Sequence, residues 1–257
     1  MDIALNPILQ KILETEHIES KTGETLPVFA QVSRPEGEFL HNLVKELDPT
    51  VSLEIGLAYG ISAMFICDAI TKRPDTKHIC VDLAQLGEPW HGNGLNNLAK
   101  AGHEEIIEFY NEESQIALPR LEADGREIDF AFIDGAHTFD HALVDFFYVD
   151  RLLKVGGVVA FDDCEFPSVR KVLRFILKNR NYSVVGHMAH NYRPKTSFAR
   201  KVLMGMANTF PRLKRVLKPE FLETNAELNI KSRCIALRKE AGDTRGFDMA
   251  DLGHIEF

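Results

Sequence analysis

Short apolar runs alternate with amphipathic stretches along most of the chain. Apolar runs of four to six residues are typical of strands buried on both faces. The stretches between them repeat apolar residues at spacings of three and four, which predicts helices. The predicted strands are 51–55, 78–81, 106–110, 128–133, 158–161 and 182–185. This alternation predicts an α/β fold with a doubly wound, mostly parallel sheet.

Two segments lie outside this alternation. Residues 1–47 are predicted to be an N-terminal helical segment, in which one amphipathic helix extends to about Glu19 and a second covers Gly37 to Leu47. Residues 189–230 are predicted to form a basic helical insert before a last strand at 234–237. We expect residues 1–257 to form a single domain.

Polar residues stand where the predicted strands end. They are Glu54, Asp82, Asp134, Asp162 and Asp163. Since doubly wound sheets bind ligands at the carboxyl ends of their strands, these side chains are expected at one rim.

A glycine-containing turn joins the first of these strands to its helix. Gly56 and Gly60 would let the backbone approach a ligand closely, the helix N-terminus would offer free N–H groups, and Glu54 would suit a cationic group. The pattern is not the G-x-G-x-x-G of dinucleotide-binding folds, and an ordinary strand-to-helix turn is the alternative.

The remaining rim residues have a chemical and a structural interpretation. Asp82 would accept hydrogen bonds from a ribose, or cap a helix. Asp134, Asp162 and Asp163 would repel one another unless a cation such as Mg²⁺ lay between them, or one of them would cap a helix. His137 would remove a proton from a substrate hydroxyl, or simply pack.

Composition and charge narrow the classes of protein. With 257 residues, 45% hydrophobic and 26% charged, the chain can bury a core, and no apolar stretch is long enough to span a bilayer. The four cysteines are far apart and the N-terminus shows no secretory signal, so we expect a cytoplasmic protein. The net charge is −8, yet residues 166–219 contain 13 Lys or Arg and no Asp or Glu. This basic segment would face solvent or an anionic partner.

The motif Glu54-Ile-Gly56-x-x-x-Gly60-x-Ser62 resembles the first motif of class I S-adenosylmethionine-dependent methyltransferases. More narrowly, the chain resembles catechol O-methyltransferase and the metal-dependent O-methyltransferases. The resemblance implies a Rossmann-like methyltransferase fold, with Glu54 at the methionine amino group, Ser62 at its carboxylate and Asp82 at the ribose. It also implies that Ser114 and Gln115 contact the adenine.

The same resemblance assigns the metal and the base. Asp134, Asp162 and Asp163 fall on the metal ligands, and Asp162-Asp163 resembles the macrolide-sugar O-methyltransferases rather than the Asp-Asn of the catechol enzyme. Asp134-x-x-His137 reproduces their arrangement of a ligand and a histidine base. Where the catechol enzyme has an aromatic residue near the adenine, this chain has Ala136, and Trp90 is a candidate substitute.

The predicted reaction moves a methyl group from S-adenosylmethionine to a hydroxyl of a small molecule, a catechol-like compound or a sugar diol. Mg²⁺ or another divalent cation would assist, and His137 would be the general base. No nucleic-acid partner is expected. The insert is expected to act as a lid or as a homodimer contact rather than at a membrane surface. The alternatives are a nicotinamide-dependent oxidoreductase and a non-catalytic binding protein with the same fold.

Overall fold

The structure is a computed structural model that describes residues 3–188, 225 and 227–244. Seven α-helices lie within these residues: α1 (Pro7–Thr15), α2 (Arg34–Leu47), α3 (Ile61–Ala69), α4 (Asn93–Lys100), α5 (Ser114–Ala123), α6 (Phe139–Leu152) and α7 (Pro167–Asn179). The described strands are β1 (His17–Glu19), β2 (Thr25–Pro27), β3 (Val51–Ile55), β4 (Lys77–Val81), β5 (Ile107–Tyr110), β6 (Ile128–Ile133), β7 (Leu153–Phe161), β8 (Tyr182–His187) and β9 (Ile235–Lys239).

Seven strands form one sheet in the order β5-β4-β3-β6-β7-β9-β8. Strands β5, β4, β3, β6 and β7 pair in parallel, whereas β9 is antiparallel to both β7 and β8. The strand order reverses between β3 and β6, which is where a doubly wound sheet opens a crevice for a ligand. The predicted α/β architecture, with its mostly parallel sheet, is therefore confirmed.

Helices cover both faces of this sheet, so its strands are apolar on both sides. In β3, Leu53 and Ile55 belong to the core beneath α5, α6 and α7. On the other face, Phe130 and Phe132 of β6 join a second core that includes residues of α1, α2 and α3. Successive side chains of one strand thus enter opposite cores.

The N-terminal region differs from the prediction. Helix α1 ends at Thr15 rather than near Glu19, because Glu16 adopts a left-handed conformation with φ of 56°. A short antiparallel hairpin of β1 and β2 follows, in which Ile18 is buried while its two neighbours are exposed. Residues 1–47 therefore contain a hairpin between two helices.

The predicted insert at 189–230 lies almost wholly outside the described residues and stays a prediction. The last strand, predicted at 234–237, is found as β9. Within the described ranges, no helix is both long and apolar enough to cross a membrane.

Candidate active site

A cleft of about 470 Å³ opens at the carboxyl ends of β3, β4 and β6. The structure brings six of the predicted site residues to its walls: Gly56, Asp82, Ser114, Gln115, Asp134 and His137. They come from four separate strand-to-helix connections. The sheet topology therefore assembles them. Of the five strand-end residues expected at one rim, Asp82 and Asp134 line this cleft, whereas Glu54, Asp162 and Asp163 do not.

The turn after β3 requires glycine at its first position. Gly56 has φ of +92°, and a Cβ there would lie 2.1 Å from the carbonyl oxygen of Asp134. Gly60 has φ of +74° and precedes the first turn of α3, which carries the nearly buried Ser62. Ser62 lines a small crevice together with Gly56 and Asp134. The close approach of Gly56 to Asp134 means that the backbones pack together where β3 and β6 end.

Asp82 holds this turn in place. Its Oδ2 accepts the backbone N–H groups of Leu57 at 3.0 Å and Ala58 at 2.9 Å, and its Oδ1 accepts that of Ala84 at 2.8 Å. Since an ionised carboxylate offers about four acceptor positions, three backbone bonds leave capacity for a ligand hydroxyl. Asp82 therefore has a structural role and remains at the wall of the cleft.

Glu54 lies beneath the turn, and its side chain is fully buried. Its Oε2 is 3.7 Å from Nε2 of His78, whose Nδ1 hydrogen-bonds Oγ of Ser52 at 2.8 Å. Within the described part of the chain, neither oxygen of Glu54 has a hydrogen-bond partner. A buried carboxylate without a hydrogen-bond partner is costly, yet Glu54 lines neither the cleft nor the neighbouring crevice of Ser62.

The first turn of α5 forms another wall of the cleft. Nε2 of Gln115 donates to Glu113 at 2.6 Å, and Ser114 hydrogen-bonds Asp145, a nearly buried residue of α6. Burial raises the pKa of Asp145 to about 6, although the bond to Ser114 opposes the shift. Sequence reasoning missed Asp145. The available signal was a carboxylate at helical spacing with the apolar residues Ala142 and Val149.

An acidic cluster stands where β6 and β7 end, with Arg233 at its centre. Both oxygens of Asp162 accept hydrogen bonds from the Arg233 guanidinium, each at 3.2 Å. Oδ1 of Asp163 lies 3.3 Å from Nε of Arg233, and Oε2 of Glu36 lies 3.7 Å from it. The sequence analysis missed Arg233 and Glu36 because neither follows a predicted strand. Arg233 precedes β9, and Glu36 lies in α2.

His137 joins the cluster to the cleft. Its Nε2 is 3.2 Å from Oδ2 of Asp163 and 3.8 Å from Oδ1 of Asp134. The backbone carbonyl of His137 accepts a hydrogen bond from Oγ of Ser168. About a third of the imidazole side chain, 34%, is exposed, so the ring is held and yet reachable.

Burial and crowding set the charges of the cluster. Burial raises the pKa of Asp134 well above its usual range, and the carboxylates of Asp162 and Glu54 raise it further. Burial also raises the pKa of Glu36 to about 9. Burial opposes ionisation of Asp162 as well, but Glu36 and Arg233 hold its pKa below the ordinary value. Asp162 therefore carries the charge that pairs with Arg233.

The predicted metal ligands share a rim without forming a coordination sphere. Among the described residues, the set of three ligand-type side chains whose donor atoms all lie within 4.8 Å of one another is Glu54, His78 and Cys80. Asp134, Asp162 and Asp163 do not meet that distance. The first set is fully buried in the core between β3 and β4.

Aromatic rings cover one end of the cleft. Trp90 stacks on Phe29 with ring centroids 5.3 Å apart, and Tyr59 meets the Trp90 ring edge-on at 5.0 Å. Trp90 and Ala30 line the cleft itself, and half of the Phe29 side chain is exposed. The sequence analysis singled out Trp90 but not the two rings that support it.

Comparison with known proteins agrees with this geometry. Residues 53–164 match a family model described as a methyltransferase domain. A putative caffeoyl-CoA O-methyltransferase of Arabidopsis thaliana is 32% identical over 137 residues, which are 52% of this chain and 54% of that protein. A caffeoyl-CoA O-methyltransferase of Populus kitakamiensis is 28% identical over 186 residues, 65% of this chain and 72% of that protein. This chain therefore spans about half the length of the Arabidopsis relative.

The fold is also found in solved structures. An O-methyltransferase from Bacillus cereus, solved in complex with SAH, superposes with a TM-score of 0.57 at 20% identity, covering 71% of this chain and 84% of that one. Residues 53–164 therefore match a methyltransferase domain, and the described part of the chain has the fold of a class I O-methyltransferase. The resemblance inferred from the strand-end motifs is thereby confirmed.

Proposed function

We propose that the protein transfers a methyl group from S-adenosylmethionine to a hydroxyl oxygen of a small molecule. The observation that carries this proposal is the meeting of Gly56, Asp82, Ser114 and His137 in one cleft at the switch point of the sheet. S-adenosylmethionine supplies an electrophilic methyl group on a sulfonium. The residues of this chain bind it, orient the acceptor and remove a proton.

The residues suit S-adenosylmethionine at four places. The unpartnered oxygens of buried Glu54 suit the methionine ammonium. Asp82 keeps acceptor capacity for the ribose hydroxyls after its three backbone bonds. The walls at Ser114 and Gln115 suit the adenine. Ser62, in the crevice below Gly56, is assigned to the methionine carboxylate.

His137 is assigned as the general base. A proton leaves the acceptor hydroxyl for the imidazole, and the carboxylate of Asp163, 3.2 Å from Nε2, stabilises the resulting imidazolium. Positioning of the acceptor oxygen in line with the methyl group supplies the remaining acceleration.

The lining of the cleft supports one class of acceptor. The half-exposed ring of Phe29, which stacks on Trp90, offers an apolar surface that suits an aromatic acceptor with a hydroxyl group, while Trp90 stays the candidate for the adenine. The caffeoyl-CoA O-methyltransferases among the relatives support the same class. A sugar diol is the alternative acceptor.

A bound Mg²⁺ stays a prediction. It would need oxygens of Asp134, Asp162 and Asp163 around one ion. In this structure Asp162 is held by Arg233 and the three carboxylates do not converge, so they do not fit the ion as they stand. No step of the mechanism is therefore assigned to a metal.

Calorimetry and a transfer assay test the proposal together. We expect the chain to bind S-adenosylhomocysteine and not NADH, and to transfer a labelled methyl group to a catechol acceptor. His137→Ala should lower the rate about 10²–10⁴-fold, because general-base assistance is lost, while S-adenosylhomocysteine binds as before.

A second histidine provides the matched control. His17 is exposed in β1 and hydrogen-bonds the carbonyl oxygen of Thr15, so His17→Ala should keep the parental rate. Binding of NADH in place of S-adenosylhomocysteine would support the oxidoreductase alternative and refute the proposal. Parental turnover in His137→Ala would remove the base from the mechanism.

A further inference from the structure

The acidic cluster at the ends of β6 and β7 already contains a cation, which is the side chain of Arg233. Two of its nitrogens donate to the two oxygens of Asp162 at 3.2 Å, a paired geometry that a planar guanidinium forms with a carboxylate. The same Nε lies 3.3 Å from Asp163. Arg233 therefore contacts two of the three residues predicted to ligate a metal.

A divalent cation held by the predicted ligands would have to contact the same oxygens of Asp162 and Asp163 that Arg233 now contacts. Mg²⁺ takes oxygen ligands at about 2.0–2.2 Å in an octahedral arrangement. With both oxygens of Asp162 turned to the guanidinium, they are not directed at an ion shared with Asp134. A guanidinium stays charged at every relevant pH, whereas a Mg²⁺ ion has to be captured from solution.

The buried surroundings indicate that this charge is required. Glu36, whose side chain is fully buried, lies 3.7 Å from Nε of Arg233. Asp162 is almost as deeply buried. A buried ionised carboxylate such as that of Asp162 needs a compensating positive charge, and Arg233 supplies it while also contacting Asp163 and Glu36.

We propose that the guanidinium of Arg233 takes the place of a divalent cation beside the acceptor site. This inference rests on the proposed methyl transfer and deepens it. Arg233 fixes Asp162 and Asp163, and Asp163 in turn holds His137 at 3.2 Å. About a third of the Arg233 side chain, 35%, is exposed.

Titration with Mn²⁺ alone, followed by electron paramagnetic resonance on the full chain, tests this inference. The parent should leave Mn²⁺ free. Arg233→Met removes the guanidinium and leaves three carboxylates that repel one another, so this variant should bind Mn²⁺. Adding Asp162→Asn to Arg233→Met should weaken the binding at least about tenfold, because a ligand is lost. Arg233→Lys keeps the charge and should stay free of Mn²⁺.

The outcomes separate the two proposals. Mn²⁺ bound by the parent and released by Asp162→Asn would overturn the replacement of the metal by Arg233. Parental transfer rates in a folded Arg233→Met protein kept in EDTA would overturn it as well. S-adenosylhomocysteine binding, measured on the same samples, reports on the methyltransferase proposal independently of Mn²⁺. A thermal melt of each variant establishes that it is folded.

Discussion

Strand β7 has a cluster of buried charge at each end, and the two clusters are built differently. At its amino end, Asp150 accepts a hydrogen bond from the hydroxyl of Tyr182 at 2.7 Å and lies 3.3 Å from Nζ of Lys239. Nζ of Lys239 also donates to the carbonyl oxygen of Leu153 at 2.9 Å. Arg180 adds a second cation 3.7 Å from Asp150. One carboxylate here has several donors.

At the carboxyl end of β7, carboxyl groups outnumber the cationic side chains that contact them. Glu36, Asp162 and Asp163 lie around the guanidinium of Arg233, and Asp134 is close enough to these carboxyl groups to feel their charge. Several of these carboxyl groups have raised pKa values because they are buried beside one another, which is typical of functional sites. The cluster at the amino end, where one carboxylate has several donors, stabilises the fold. The cluster at the carboxyl end, where several carboxyl groups share one guanidinium, is available for chemistry.

Removing Asp150 should produce the largest loss of stability. Asp150→Ala leaves Lys239 buried without its carboxylate, and breaking a buried ion pair in this way costs about 3–5 kcal/mol. The free energy of unfolding in urea measures it. We expect S-adenosylhomocysteine to bind the folded fraction unchanged, because Asp150 lies at the opposite end of the strand from the cleft.

Asp75 provides the control for this variant. It is exposed in the loop before β4, so Asp75→Ala should change the free energy of unfolding by no more than about 0.5 kcal/mol. A loss below about 1 kcal/mol in Asp150→Ala would mean that the amino-end cluster contributes little, and the contrast between the two ends would fail.

The sequence predicts the sheet, but it does not predict most of the difference between the two charged clusters of β7. Strands such as β6 are buried on both faces and read as continuous apolar runs, and their topology then places Asp134 and Asp162 at one rim. Strands β1 and β2 have three residues each, too few to show a period of two.

The missed site residues share a physical reason. Arg233 and Glu36 come from a loop and a helix far apart in the sequence, and their meeting depends on how α2 and β9 pack beside β7. No local pattern encodes such a pair. Asp145 did leave a trace, as a carboxylate on the buried side of α6, but its partner Ser114 is 31 positions away.

An intermediate effect, with the opposite sign, is expected at Asp145 in the cleft wall. Its pKa is about 6 in the folded protein, against an ordinary value of 3.8. The folded state therefore keeps a proton that the unfolded chain has lost, and stability falls as pH rises from about 4 to about 6. Above that window the penalty is complete and amounts to about 3 kcal/mol.

Asp145→Asn removes the ionisation and should be more stable than the parent at pH 8, by up to about 3 kcal/mol. The difference should shrink toward zero at pH 4. Urea unfolding at pH 4, 6 and 8 gives the three values. Ser114→Ala removes a hydrogen bond that opposes the shift, so it should move the window to higher pH. An advantage of Asp145→Asn that is equal at pH 4 and 8 would show that ionisation is not its cause.

The smallest effect on stability is expected at Asp163, which belongs to the cluster at the carboxyl end of β7. This variant tests whether that cluster serves catalysis more than stability. Asp163 has φ of 50°, a conformation that Asn adopts readily, so Asp163→Asn adds no backbone strain. The substitution loses the ion pair with Arg233 at 3.3 Å but also relieves repulsion from Asp162. We expect a change in the free energy of unfolding within about 1 kcal/mol, since such partly exposed pairs contribute little. The rate of methyl transfer should nevertheless fall, because His137 loses the carboxylate that stabilises its charged form. A loss of stability as large as that of Asp150→Ala would mean that the charged clusters at both ends of β7 stabilise the fold. The contrast between a structural cluster and a catalytic one would then fail.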